Sequence, residues 1–371
     1  MTINLPFYAR LSFILISLIA ITFSVYIAQG IITPLVMAIL FSVLLNPVVV
    51  FLKIKLKFPH VIASITTVLL FVILIVGIFT FISFQISDMV SDFDKIQENI
   101  QIHFKNMQYY IKQHFNISNR EQQEYIQSAT NDTMEKGKEI LGTTLMSFTD
   151  TLLNLTLIPI YIFLLLLYRN HFMLFFTKLF KKENHTQVHE IINHIKVAVK
   201  SYIIGLILEM IAVSILTSIG FMIIGVQYAI LLGIITGILN LIPYIGILFA
   251  GLLSIVASLS GSPDLSVIFG VIIVNIIVQL IDNNILMPII VNSKVQINAL
   301  VSIVGIIIGG ALIGVTGMFL AIPIIAIIKV IFDRVESLEP WGYLFGDDIP
   351  KTYQWRKINL PQFDFGDDDE K

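Results

Sequence analysis

The sequence predicts an all-α polytopic membrane protein with about eight membrane segments, two of them Gly/Pro-broken and hairpin-like, judged against the roughly 20 apolar residues that a helical span requires. Three observations carry this prediction. The chain is 56% hydrophobic and only 13% charged, with a mean hydropathy of +0.89, whereas a typical soluble domain is roughly 25% charged. Between Ser201 and Ile328 the only charged side chains are Glu209, Asp264, Asp282 and Lys294. That same stretch is interrupted repeatedly by Gly, Pro and Asn, and lipid tolerates broken backbone only where it is packed in protein or lines a wet cavity.

Residues 1–84 hold three apolar stretches, 11–29, 31–52 and 61–84, read as scaffold spans. No small-x-small cleavage site follows the first, so it is read as an uncleaved span rather than a signal peptide. Residues 85–147 are polar and acid-leaning, with Met89, Phe93, Ile96, Ile100, Met107 and Ile111 at spacings of three, four or seven. That stripe predicts an extramembrane helical insertion, packed either on its own chain or on another protomer. Residues 148–200 hold a fourth span, 148–168, and a basic amphipathic linker. Arg10, the lysines 53, 55 and 57, and the set Arg169, Lys178, Lys181, Lys182, Lys196 and Lys200 fall on one side if both termini are cytoplasmic, which is the orientation the positive-inside rule favours. Residues 331–371 form a polar tail ending in Asp367, Asp368, Asp369 and Glu370, expected to be solvated.

The region 201–330 is read as the transport region. After a span at 202–224, the block 228–259 breaks at Asn240-Leu241-Ile242-Pro243; after a span at 267–281, the block 299–328 breaks around Gly309, Gly310, Gly314 and Gly317. Counting crossings gives a span plus a hairpin, followed by a span plus a hairpin of opposite orientation. Inverted pairs of interrupted segments point to a transporter site near mid-membrane. One reading has two re-entrant hairpins whose tips meet there; the other has two ordinary helix pairs that cross completely.

The polar groups at lipid depth are the candidate ligands. A carboxylate such as Glu209 costs roughly 2.5–3.5 kcal/mol at the bilayer centre on the insertion scale, and taking up a proton removes that cost, as a proton-coupled carrier requires. Asn275, Gln279 and Asp282 recur at i, i+4 and i+7, followed by Asn283, Asn284 and Pro288. At an unwound helix end such oxygens can bind a cation or a polyol, or simply cap the helix. Thr236 and Asn240 make a similar pair in the first hairpin, beside Pro243, Tyr244 and Gly246.

Several classes are disfavoured. The net charge of −2 gives no nucleic-acid footprint. There is no cysteine, hence no disulfide framework or thiolate metal site. His185, His189, Glu190 and His194 lack the HExxH spacing and lie in an amphipathic stretch, so no metal is expected. No GxxxxGK[ST] loop and no nucleophile–base pair stands out, so neither an ATP-driven pump, an enzyme nor a cofactor is expected.

NLIPYIG at residues 240–246, QLIDNNILMPIIV at 279–291 and GGALIGVTGMFLAIPIIAIIK at 309–329 together resemble the autoinducer-2 exporter-like (AI-2E) permease family over nearly the whole chain. The resemblance implies a multi-pass secondary transporter of the bacterial inner membrane. It also implies export of a small polar solute such as an autoinducer-2-like quorum signal, or sodium–proton antiport, and a homo-oligomer, with pentamers among the known assemblies. The chain departs from the family at Ile247, where a proline is common after Gly246, and at Val291-Asn292-Ser293-Lys294 and Asn298-Ala299, where a glycine and a His-Pro pair are usual. A non-transporting scaffold, working through its external helices, is the reading from another class; a channel is weaker, since no ring-forming charged motif is visible.

Overall fold

The computed structural model describes residues 6–92, 95, 98–99, 101–102, 156–242, 245–258, 264–291 and 297–347. Phe93, Ile96, Ile100, Met107 and Ile111 of the expected external stripe, Pro243 and Tyr244, and the acidic tail all lie outside these residues. Among the described residues every regular element is helical. Six helices are long and apolar enough to cross a membrane, or up to seven if one bent pair counts as a span. The expected figure of eight is reached only by adding the shorter apolar helices.

Helix α1 (Phe7–Ile27) turns at Ala28 into α2 (Gln29–Lys55), which continues through Pro34 and Pro47. Such prolines persist in spanning helices because neighbouring groups satisfy the freed carbonyls. Helix α3 (His60–Ser91) returns, and α4 (Leu157–Leu167) packs between the two, burying Ala38, Val49, Ala63, Ile158 and Ile162 in one cluster. The chain then bends by 68° into α5 (Arg169–Lys178). There the Arg169 Nη1 donates to Asn46 Oδ1 at 2.6 Å.

Helix α6 (His185–Ile223) runs 39 residues without a break, so the amphipathic linker and the span that the sequence divides at residue 200 are one rod. Its buried residues Val199, Tyr202, Leu206, Glu209, Val213, Thr217 and Phe221 recur every three or four positions, one face of a helix turned inward. Helices α7 (Ala229–Asn240) and α8 (Ile245–Ser258) form an antiparallel pair. The start of α7 (Ala229, Leu231, Leu232) and the end of α8 (Ala257) share one cluster with Phe221, with Ile82, Ile86 and Met89 of α3, and with Val271. Met89, the first residue of the expected external stripe, therefore packs on its own chain.

Helix α9 (Leu265–Ile281) does not unwind at Asp282, as the sequence reading expected. It continues through Asp282–Val291 in wider turns of the i→i+5 type, with Pro288 inside. Such wide turns absorb a residue without ending the helix and recur at functional sites.

Helix α10 (Ala299–Phe332) has 34 residues and would span about 51 Å if straight. It instead reverses at Gly314 (φ 66°, ψ −147°), a backbone conformation essentially confined to glycine. Its two arms lie so close that a Cβ at Gly309 would fall on the Gly317 carbonyl, and one at Gly310 on the Met318 side chain. Both ends of α10 meet the short α11 (Glu339–Phe345). At the start, Asn298 caps α10 by accepting from the Val301 N–H at 2.8 Å and donates from Nδ2 to the Leu344 carbonyl at 2.6 Å. At the end, the rings of Phe332 and Phe345 meet edge-on at 5.5 Å, and Lys329 pairs with Asp333 at 2.7 Å.

At the end of the bundle where α3 stops, Asp92 accepts from the Tyr228 hydroxyl at 2.6 Å, from Gln227 Nε2 at 2.9 Å and from Lys95 Nζ at 2.7 Å. This ties α3 to the α6–α7 turn, where Tyr228 adopts a left-handed conformation (φ 61°). The Asp92 carboxyl is held below the ordinary carboxylate range, first by its bond from Lys95 and then by that from Tyr228.

Candidate functional site: a buried carboxyl pair bridged by an amide

Glu209 sits in the middle of the inward stripe of α6 and is 4% exposed. What reaches it is set by the approach of α7. Gly233 and Gly237 face Ser218 and Ser214 of α6 so closely that a Cβ at either glycine would strike a serine hydroxyl and α6 backbone. Small residues that let backbones approach are a usual means of packing membrane helices. This contact carries Asn240, the last residue of α7, to the carboxyl. Gly246, at the start of α8, completes the tip: a Cβ there would fall on the Leu239 carbonyl. Asp282, 3% exposed, arrives from the first wide turn after α9.

The Asn240 amide joins the two acids. Its Nδ2 donates to Glu209 Oε1 at 3.2 Å and to Asp282 Oδ2 at 3.1 Å, one hydrogen to each. The two acceptor oxygens thus lie within about 6 Å of each other. Glu209 Oε2 and Asp282 Oδ1 are buried and have no protein partner among the described residues. No lysine or arginine pairs with either acid among those residues. Two like charges this close, away from water, repel strongly. A proton or a small cation held between them would remove that repulsion.

The remaining sequence candidates divide. Thr236 is buried on the same face of α7, but its hydroxyl hydrogen is committed to the Leu232 carbonyl at 2.7 Å. Asn275 lies about two turns before Asp282, with Nδ2 buried and unpartnered. Gln279, Asn283 and Asn284 are not brought to the carboxyl pair: Gln279 Nε2 donates to Asn283 Oδ1 at 3.0 Å and Asn284 Nδ2 to the Leu280 carbonyl at 2.8 Å. Continued helix makes i, i+4 neighbours of these residues, so they bond along their own element. Pro288 lies in the wide turns beyond them. Gly309, Gly310 and Gly317 seal the two arms of α10, while Gly314 has open space where a Cβ would stand. Helix α10 packs on α6 and α2, and Leu320 shares a cluster with Leu241 at the first tip. Sequence reasoning missed Thr217, whose hydroxyl is fully buried and unpartnered about two turns beyond Glu209 on the same face of α6. The i, i+8 spacing from Glu209 was the available signal.

His185 Nε2 lies 3.1 Å from the Phe180 carbonyl and His189 Nε2 lies 3.4 Å from Thr177 Oγ1. Among the described residues no group of three His, Asp or Glu side chains could hold a metal.

A family model described as AI-2E family transporter matches residues 15–337. Among curated proteins, the chain is 25% identical over 321 residues to "Putative transport protein YueF" of Bacillus subtilis, covering 82% of this chain and 84% of the relative. It is 30% identical over 133 residues to "Putative permease PerM" of Escherichia coli K12, covering 36% and 38%. A multi-pass helical fold, a buried acid pair at span depth and a family match over most of the chain agree, and this protein belongs to the AI-2E transporter family.

Proposed function

We propose that this chain is a secondary active transporter in which Glu209, Asn240 and Asp282 bind the coupling ion, a proton or sodium, and that it exports a small polar solute. The observation that carries the reading is the pair of buried carboxyls sharing one amide donor, each with a free oxygen. Such a pair has two states of similar energy, ion-bound and ion-free, only if something else moves to shield the acids when the ion leaves. The Asn240 tip is the element suited to that movement, because helix α7 ends there and its amide is the group that meets both acids. Thr217 and Asn275, unpartnered on α6 and α9 at about two turns from the acids, supply polar steps for an ion route. Helices α6 and α9 run side by side there, since a Cβ at Gly220 would meet the Val274 side chain. The solute is of the autoinducer-2 class by family resemblance, the membrane is the bacterial inner membrane with both termini cytoplasmic, and the working unit is a homo-oligomer.

A second reading, sodium–proton antiport, is favoured by the composition of the site itself. Two carboxyls and one amide suffice to exchange one small cation for another. Reconstituted vesicles with an imposed sodium or proton gradient separate the readings. Ion-coupled solute flux that disappears in Asp282→Asn supports export. Sodium-driven proton movement without any solute, also lost in Asp282→Asn, supports antiport. If Asp282→Asn and Glu209→Gln leave every flux unchanged, the site is not the coupling site; if the unaltered chain drives no flux of solute or ion, a scaffold role becomes the better account.

A further inference from the structure

A second site lies at the basic end of the bundle, on the lipid side of α6. A groove of about 570 Å³ runs between α6 and the wide turns that follow α9. That volume lies within the roughly 300–1,000 Å³ usual for small-molecule pockets. Lys200 and Ser201 lie toward one end, nearly a turn from Val197, with Leu208 at the other; Gly205 leaves the floor without a side chain, and Ile289 and Ile290 form the facing wall. From Lys200 to Leu208 is about 12 Å along the helix. The groove is therefore amphipathic, with one cation and one hydroxyl toward one end and apolar side chains along the rest.

Lys200 has no carboxylate partner among the described residues. Two more cations lie at the same end, equally without an acid: Arg169 bonds the neutral Asn46 amide at 2.6 Å, and Lys196 approaches the Met173 sulfur at 3.0 Å. Among the described residues no acid pairs with any of these three cations. The walls are apolar and partly turned outward, with Ile289 71% and Leu208 51% exposed, so the groove opens into the bilayer rather than into the interior. A transported polar solute would find nothing to bond along it.

The geometry points to a seat for one anionic phospholipid of the leaflet at the basic end, its phosphate at Lys200 and Ser201 and one acyl chain along Gly205, Leu208 and Ile289. The lipid braces the two segments that bear the acids, since Leu208 precedes Glu209 and Ile289 lies on the turns begun by Asp282. The seat does not depend on the transport reading.

Native mass spectrometry of the full-length protein tests it, with phosphatidylglycerol and phosphatidylcholine of identical acyl chains added in turn. One phosphatidylglycerol per protomer is expected to be retained about five-fold over phosphatidylcholine, the worth of one basic residue facing an anionic headgroup. Lys200→Gln brings that ratio to about one, Ile289→Trp fills the groove and removes both lipids, and Glu209→Gln leaves retention unchanged. Equal retention of the two lipids by the unaltered chain overturns the proposal, as does an undiminished ratio in Lys200→Gln. Displacement of phosphatidylglycerol by inorganic phosphate alone shows a headgroup site without a chain groove and also overturns it. So does disulfide cross-linking of Ile289→Cys between copies, which would mean that a second copy covers the groove.

Discussion

Replacing Asn240 with leucine tests the carboxyl pair most directly. The change keeps the number and branching of the side-chain heavy atoms and removes the one donor that both acids share. Each hydrogen bond to a charged group contributes about 1.5–3 kcal/mol. The two bonds here, at 3.2 and 3.1 Å, sit at the long end of the N–H···O range, and they come from one amide, so their contributions do not add fully. A loss of about 3 kcal/mol of stability is therefore expected, close to the cost of removing one partner of a buried charge. The measurement is equilibrium unfolding of the reconstituted protein, repeated in a Glu209→Gln, Asp282→Asn background. With the acids neutralised the same substitution should cost about 1 kcal/mol or less, because leucine then leaves no charge unpaired. Added sodium should recover part of the loss in the Asn240→Leu protein if the cation binds the folded site, by about 2.7 kcal/mol at a hundredfold excess over its dissociation constant. If Asn240→Leu costs the same in both backgrounds, the amide is not bridging charged groups and the account of the site is wrong.

Gly237→Ala places a Cβ on the Ser214 hydroxyl and against the Met210 carbonyl, so it should wedge α7 from α6, cost about 1–3 kcal/mol and reduce flux; Gly251→Ala, with nothing within 4 Å, should be silent in the same unfolding and flux assays. Gly314→Ala meets no atom yet should cost about 1–3 kcal/mol through backbone strain alone, and equal stability of Gly314→Ala and Gly251→Ala would argue against the reversal of α10. The Asp92–Tyr228 contact should have a defined pH window, read by hydrogen exchange at the α6–α7 turn. Asp92 binds its proton less readily when folded, so its contribution is present above about pH 4 and fades as pH falls below its depressed folded value. Tyr228 is pushed up to about 12 by desolvation and its bond to Asp92, so its contribution is complete below about pH 10 and is lost as pH rises through 12. Tyr228→Phe should abolish the alkaline arm and leave the acid arm, and exchange at that turn that does not vary with pH would show the contact to be unimportant.

How far the site could be read from the chain follows from what each residue contrasts with. Glu209, Asn240 and Asp282 were legible because a carboxyl or amide in an otherwise apolar span is conspicuous wherever it points. Gln279, Asn283 and Asn284 were conspicuous for the same reason, but whether they face a ligand or their own helix depends on whether the helix ends at Asp282. The composition DNN followed by Pro288 suggests an end, and the wide turns provide a continuation instead. Thr217 was not legible because a threonine among apolar residues commonly bonds the carbonyl four positions back, as Thr236 does here. The approach of Gly233 and Gly237 to Ser218 and Ser214 depends on the register of two helices, which no local pattern encodes. The union of Asp92 with Gln227 and Tyr228 joins residues 135 and 136 positions apart. The glycines of 309–317 announced a break; that Gly314 is the point of reversal depends on Gly309 and Gly317 meeting across it.

The short helix α11 has a consequence for how the protein is made. The first residues of α10 find their partners at Leu344 and Phe345, which are 46 positions further along the chain at the Asn298–Leu344 bond. A chain still emerging from the ribosome therefore has the opening arm of that hairpin in the membrane with its end untethered until residues 339–345 have been made. Helix α11 acts as the clasp of the α10 hairpin. A chain cut short before Glu339 would carry both arms of α10 and still present an unfinished surface to quality-control proteases.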